Sequence, residues 1–373
     1  MREKDRFRGC LIGGAVGDAL GFTVEFLNEE QIFSRFGDEG IKDYSLKEDT
    51  AQISDDTQLS LFTANGLLYG TTRGMISGKT DEYTESVRRM YKCWYKTQSE
   101  GYSVDSEKKY SWLLNVPELY SGRAPGNTCM EAISNGARGS IENPINRSKG
   151  CGGVMRVAPI GLYFCDRRIS YDAVDMMGAQ TSALTHGHEM GYIPSATLVH
   201  IIRRIVEDPS IELKDAINEA IDSTERLFEG AMYLSFYVNH MRKAVELAFS
   251  DTPDLEAIHE IGEGWVAEET LAIAVFCALR YEKDFDKAIR TAVNHNGDSD
   301  STGAITGNIL GARIGYEAIP EKFKRNLELR DIILEIADDL CDDCQIGQYY
   351  SDEDEVWVRK YVKGDYKPEY LAV

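Results

Sequence analysis

The sequence predicts an all-α protein folded as one domain. Apolar positions recur near 3.6-residue spacing along most of its 373 residues, while period-2 alternation is scarce. No Pro/Ser-rich linker, low-complexity tract or solenoid period divides the chain, so a single compact domain over residues 1–373 is expected. A hydrophobic content of 43% supports a substantial core at this length.

From the N-terminus, glycines 9, 13, 17 and 21 fall on one stripe of a helix that also carries Asp18. Each interior glycine costs about 1 kcal/mol against alanine, so four in register imply a gain from close backbone packing. A carboxylate on such a buried element must be hydrogen-bonded, paired or near a cation. Ser54-Asp55-Asp56-Thr57 then opens an apolar, helix-like run. The segment 70–126 is the most irregular, with polar stretches at Gly70 to Thr80 and Gln98 to Lys109 around a helix from Asp81 to Thr97. Gly150-Cys151-Gly152-Gly153 reads as a tight turn, or as a nest of amides able to hold a diphosphate without positive charge. It matches neither GxxxxGK[ST] nor GxGxxG.

Further helices are expected at Pro194 to Glu207, Leu213 to Phe228, Ala231 to Phe249, Ala267 to Arg280, Phe285 to Asn294 and Glu321 to Leu340. Pro194 suits a first helical position and Asp284 an N-cap. Short β pieces are expected near Gly161 to Phe164 and Val356 to Val358. Asp298-Ser299-Asp300-Ser301-Thr302 opens a second glycine-striped helix, with glycines 303, 307, 311 and 315. Cys341-Asp342-Asp343-Cys344 is a lone CxxC in an acidic context, which argues against a zinc or redox site. Ser351-Asp352-Glu353-Asp354-Glu355 reads as a solvated acidic loop or edge.

Forty-one basic against 62 acidic residues give a formal charge of −21, which disfavours nucleic acid and anionic membranes as partners. The eight cysteines are scattered, and no stretch has membrane-spanning length, so a reduced, cytoplasmic protein is expected. Each acidic cluster alone is what a helix N-cap looks like. Two of them, beside glycine-striped helices, point to carboxylate and hydroxyl oxygens gathered around one or two Mg²⁺ or Mn²⁺ ions.

Several ordered motifs between Gly9 and Gly315 resemble the ADP-ribosylglycohydrolase family, which includes bacterial dinitrogenase reductase-activating glycohydrolases and animal ADP-ribosyl-acceptor hydrolases. They are Gly17 to Gly21 with Val24-Glu25-Phe26, Ser54 to Thr57, Gly126-Asn127-Thr128, Gly150 to Pro159, Thr185-His186 and Gly297 to Gly303. The resemblance implies an orthogonally packed helical bundle around a dinuclear centre of two Mg²⁺ or Mn²⁺ ions. It makes Ser54, Asp55, Asp56, Asp298, Asp300 and Ser301 metal ligands, with Asp18 supporting them. Asp55, Asp56 and Glu25 become catalytic, Glu25 on a mobile segment over the metals. Ser148, Gly150, Cys151, Gly152 and Gly153 would hold the diphosphate, and His186 would lie near the adenosine or phosphates. Ser54 stands where many relatives have threonine, and Cys151 where many have asparagine or another residue.

The implied reaction is hydrolysis of the C1″ bond between ADP-ribose and a modified protein side chain. Arginine is the favoured acceptor, because a ribosylated guanidinium leaves as neutral guanidine whereas a serine alkoxide needs an acid or metal. A serine-linked substrate, a non-catalytic binder of ADP-ribose or of a toxin, and a two-metal phosphohydrolase are the rivals. A cognate ADP-ribosyltransferase is a further expected partner.

Overall fold

The fold, obtained as a computed structural model, is described for residues 2–78, 82–103, 110–344, 346 and 352–368. Among these, seventeen α-helices and no strand occur, with only isolated β-bridges. The N-terminal half holds α1 (Lys4–Phe22), α2 (Glu29–Phe36), α3 (Asp55–Ser77), α4 (Tyr83–Ser99), α5 (Asn127–Ser134), α6 (Ala158–Tyr163) and α7 (Tyr171–Ala183). The middle holds α8 (Glu189–Glu207), α9 (Leu213–Leu227), α10 (Leu234–Ala248), α11 (Asp254–Ile261) and α12 (Ala267–Arg280). Then follow α13 (Phe285–Val293), α14 (Ser299–Ile314), α15 (Glu321–Lys324), α16 (Arg330–Asp342) and α17 (Asp352–Val358).

The two glycine stripes meet. A Cβ on Gly13 would stand 2.2 Å from the carbonyl oxygen of Gly307, and one on Gly17 would stand 1.9 Å from that of Gly303. One on Gly311 would stand 1.9 Å from the carbonyl oxygen of Gly9. Residue numbers rise on α1 as they fall on α14, so the helices are antiparallel and touch backbone to backbone. The C-terminal end of α1, with Asp18, therefore lies beside the N-terminal end of α14, with Asp298 to Ser301. Around this pair pack α3, α12, α13 and α16, and α8 with α7 and α9 outside it.

The Asp284 cap is present, its side chain accepting from the Lys287 amide at 3.0 Å. Elsewhere the structure corrects the sequence reading. Pro194 lies inside α8, because the His188 side chain caps the helix earlier by accepting from the Met190 amide. The Ser182 hydroxyl donates to the Gly191 carbonyl in the turn that the proline perturbs. The segment 161–164 belongs to α6 and its turn, and 356–358 to α17; both short apolar runs are helical rather than β. The acidic run likewise enters α17 from Asp352, with Asp354 buried, while Ser351 lies outside the described residues. The expected helix Glu321 to Leu340 is broken, with Leu329 at φ 56 before α16. The break presents Asn326 and Glu328 to residues 51–53: Ala51 and Glu328 amides donate to Asn326 and Ala51 carbonyls, and the Ile53 amide to the Glu328 carboxylate. Gly70 to Ser77 is not irregular but the last turns of α3; residues 79–81 and 104–109 lie outside the described set.

A methyl group at position 307 would have to displace the α1 backbone. Gly307→Ala is expected to lower unfolding free energy by about 3 kcal/mol or more in urea titrations, whereas Gly101→Ala, in open space, should change it by less than about 0.5 kcal/mol.

Candidate active site

The start of α3 is held from another helix. Asp18, fully buried on α1, accepts from the Ser54 amide at 2.8 Å, the Thr57 amide at 3.1 Å and the Thr57 hydroxyl at 2.5 Å. Two of the orphan donors of the first turn are satisfied by a carboxylate that α1 supplies. The Ser54 side chain accepts from the Asp56 amide at 3.2 Å as the local N-cap. This fixes the direction in which Asp55 and Asp56 leave the helix.

The start of α14 is built in the same way. Asp298 is its N-cap and accepts from the Ser301 amide at 3.2 Å, and Asp300 also accepts from that amide at 2.9 Å. The thiol of Cys151 donates to Asp298 Oδ2 at 2.7 Å, which ties the glycine loop to the acidic cluster. That loop is a single 3₁₀ turn, Cys151–Gly153, and none of residues 150–153 has positive φ, so of the two readings the tight turn is the one observed. The Cys151 amide donates to Trp265 O at 3.3 Å, and the Val154 amide closes the turn on Cys151 O at 2.9 Å. A Cβ on Gly153 would stand 1.8 Å from Ser182 Oγ, so the loop is seated against α7.

One cleft of about 320 Å³ is lined by Glu25, Phe26, Asp55, Asp56, Gly126 to Cys129, Gly150 to Gly152, Met155, His186, Trp265, Asp298, Asp300 and Ser301, with Ala124 and Pro125. Most of the predicted site residues thus come together although they span the chain from 25 to 301. Three do not line it. Ser54 is fully buried beneath, Gly153 faces Ser182, and Ser148 lines an adjoining cavity of about 240 Å³, where its hydroxyl lies 3.1 Å from Thr128 Oγ1. A larger cavity of about 550 Å³ between residues 47–52 and 325–332 contains none of the predicted residues.

Sequence reasoning missed Trp265 and the contact of Cys151 with Asp298. Trp265 follows Glu263-Gly264 without a motif of its own, and stacks at 6.3 Å and 22° on the exposed ring of Phe26 at the cleft.

Among the described residues no lysine or arginine lines the cleft, and Glu25, Asp55, Asp56 and Asp300 resist ionisation. Burial pushes Asp18 up to about 6 and Asp55 up to about 8; burial and then the charge of Asp298 push Glu25 up to about 9. Asp56 and Asp300 are driven well above the usual carboxylate range by burial, then by Asp18 and Asp56 respectively. Asp56 Oδ2 and Glu25 Oε2 are buried without a hydrogen-bond partner. Orphaned, crowded carboxylate oxygens beside serine hydroxyls fit hard divalent cations. Among the described residues no three His, Cys, Asp or Glu side chains are already drawn into a closed ligand set. The Cys151 thiol on Asp298 and the Ser301 amide on Asp300 hold oxygens that an ion would compete for.

The family model for ADP-ribosylglycohydrolase matches residues 1–348. This chain belongs to the ADP-ribosylglycohydrolase family, whose named members are hydrolases. It is 26% identical over 358 residues to the mouse ADP-ribosylhydrolase ARH3, covering 88% of each chain. To the ADP-ribosyl-[dinitrogen reductase] glycohydrolase of Rhodospirillum rubrum it is 22% identical over 336 residues, covering 87% of this chain and 91% of that one. A solved structure described as an ADP-ribosylglycohydrolase-related protein complex has the same fold, with a TM-score of 0.58 and 23% identity, over 91% of this chain and 98% of that one.

Thr57→Val keeps the shape and removes the hydroxyl that donates to Asp18. It is expected to cost about 1.5–3 kcal/mol in chemical denaturation, the range for a hydrogen bond to a charged acceptor, and Thr57→Ser should recover most of it.

Proposed function

We propose that the protein removes ADP-ribose from modified protein side chains by hydrolysing the C1″ bond, with arginine as the acceptor and two Mg²⁺ or Mn²⁺ ions as cofactors. The observation that carries the reading is the meeting, in one cleft, of Asp55, Asp56, Asp298, Asp300 and Ser301 with the glycine loop and His186. Ser54, Asp55, Asp56, Asp298, Asp300 and Ser301 are the residues that would hold the ions, Ser54 through its place at the α3 cap. When bound, such ions supply Lewis-acid polarisation and a more acidic water.

The protein's own residues do the rest. Asp18 fixes the α3 terminus, so that Asp55 and Asp56 enter the cleft from a rigid helix end. One of these two carboxylates accepts the proton of the attacking water. The glycine loop at Gly150 to Gly152 and the ring of His186 bind the diphosphate side, with Gly153 seating the loop on Ser182 and Ser148 in the adjoining cavity. The stacked rings of Phe26 and Trp265 offer a face for a guanidinium, and the absence of basic residues from the cleft lining favours a cationic side chain there.

A second reading, a serine-linked substrate, is favoured by Glu25. Its Oε2 is buried and unpartnered at the cleft, where a proton donor to a leaving alkoxide would be needed. The eight free cysteines and the lack of a membrane-spanning helix among the described residues suit the proposed cytoplasmic setting, shared with a cognate ADP-ribosyltransferase.

The test incubates the purified protein with arginine-linked and serine-linked ADP-ribosylated proteins in Mg²⁺, with and without chelator, and measures free ADP-ribose. Release from the arginine substrate, abolished by chelator and lowered about a hundredfold or more in Asp55→Ala, is expected. Glu25→Gln should slow the serine substrate more than the arginine one. Binding of ADP-ribose without any release would leave a non-catalytic binder; inorganic phosphate or nucleoside monophosphate would mark a phosphohydrolase.

A further inference from the structure

Arg156 is fully buried, yet no carboxylate pairs with it among the described residues. Its guanidinium lies 4.3 Å over the ring of Tyr91, Nη1 reaches Cys129 Sγ at 3.4 Å, and Nε has no partner. The strongest bond it makes is from Nη2 to the Thr185 hydroxyl oxygen, at 2.6 Å. A buried cation held by neutral groups is costly unless it does something for a neighbouring site. Its neighbours are the back of the glycine loop: Cys129 Sγ would be 2.8 Å from a Cβ on Gly152.

The Thr185 oxygen, having accepted from Arg156, has its own proton to place. His186 Nδ1 lies 2.8 Å away and the Ser182 carbonyl 3.4 Å away. The shorter bond takes the proton, which makes Nδ1 an acceptor and puts the imidazole proton on Nε2. That nitrogen faces the loop: a Cβ on Gly150 would stand 3.5 Å from it and one on Gly152 would stand 3.4 Å from it. We infer that Arg156 is a positioning residue which, through the Thr185 hydroxyl, locks His186 in the Nε2–H tautomer, so that Nε2–H stands beside Gly150 and Gly152 at the cleft as a donor to an anionic group. A cleft without lysine or arginine thereby gains a neutral donor, polarised from behind by a charge that never touches the ligand. The relay itself stands on the protein alone; only the identity of the anion, the diphosphate of ADP-ribose, rests on the function proposed above.

Two measurements on the full chain separate the two. In ¹⁵N-histidine-labelled protein, long-range ¹H–¹⁵N correlation is expected to show His186, assigned by its loss in His186→Gln, with unprotonated Nδ1 and protonated Nε2. Thr185→Val should mix the tautomers, and Thr185→Ser should restore the wild-type signature, which a merely packing role for Thr185 would not do. Calorimetric titration with ADP-ribose should weaken roughly fivefold to tenfold in Thr185→Val and recover in Thr185→Ser, the scale of one net hydrogen bond. A protonated Nδ1 in the wild type overturns the relay; unchanged affinity in a Thr185→Val protein that binds and has mixed tautomers overturns the donor role of Nε2–H. An Nε2–H signature in a wild type that does not bind ADP-ribose supports the relay and rejects the proposed ligand.

Discussion

The site depends on one interaction that contains no chemistry, the backbone contact between α1 and α14. Glycines on both helices remove the side chains that would hold the axes apart, and each stripe supplies carbonyls that the other stripe faces. The antiparallel register then brings Asp18 and the Asp298 to Ser301 segment to the same level. Asp18, in turn, grips the first turn of α3. The acidic residues are gathered by helix geometry first, and their mutual repulsion is a consequence that the packing overrides.

That repulsion sets the character of the cleft. Five acidic side chains line it, burial holds several of them against ionisation, and two of their oxygens are orphaned. The opposite charge is present but hidden: Arg156 sits behind the glycine loop and acts on the cleft through Thr185 and His186. Positive charge placed in the cleft itself would neutralise the oxygens that suit a cation. The arrangement keeps the crowded carboxylates and the buried Arg156 on opposite sides of the glycine loop.

Much of this was legible in the sequence because it is written in residue types with few other uses. A stripe of four glycines inside a helix has little meaning except close approach, and two Asp-Ser clusters at helix starts share both capping and ligand chemistry. Asp284 announces its helix by the same capping rule. What was not legible depends on partners far along the chain. Pro194 looks like a helix start until His188 is seen to cap one turn sooner and Ser182 to take up a carbonyl. The break at Leu329 answers to residues 51–53, and no local pattern at 321–340 reports it. Trp265 is held at the cleft by pairing between distant segments, its carbonyl accepting from the Cys151 amide and the Ala267 amide donating to the Lys149 carbonyl. Short apolar runs at 161–164 and 356–358 are ambiguous in period: the first is helical and buried throughout, the second helical with Val356 exposed.

The glycine contact also sets an order of events during synthesis. Gly9 leaves the ribosome about 300 residues ahead of Gly311, which at roughly 5–20 residues per second is an interval of about 15–60 s. Throughout that interval α1 has neither its partner nor the helix propensity to stand alone, since glycine is, after proline, the weakest of helix formers. The nascent chain therefore carries α1 as an unpaired, glycine-rich segment, and the cleft closes only once α14 has been made.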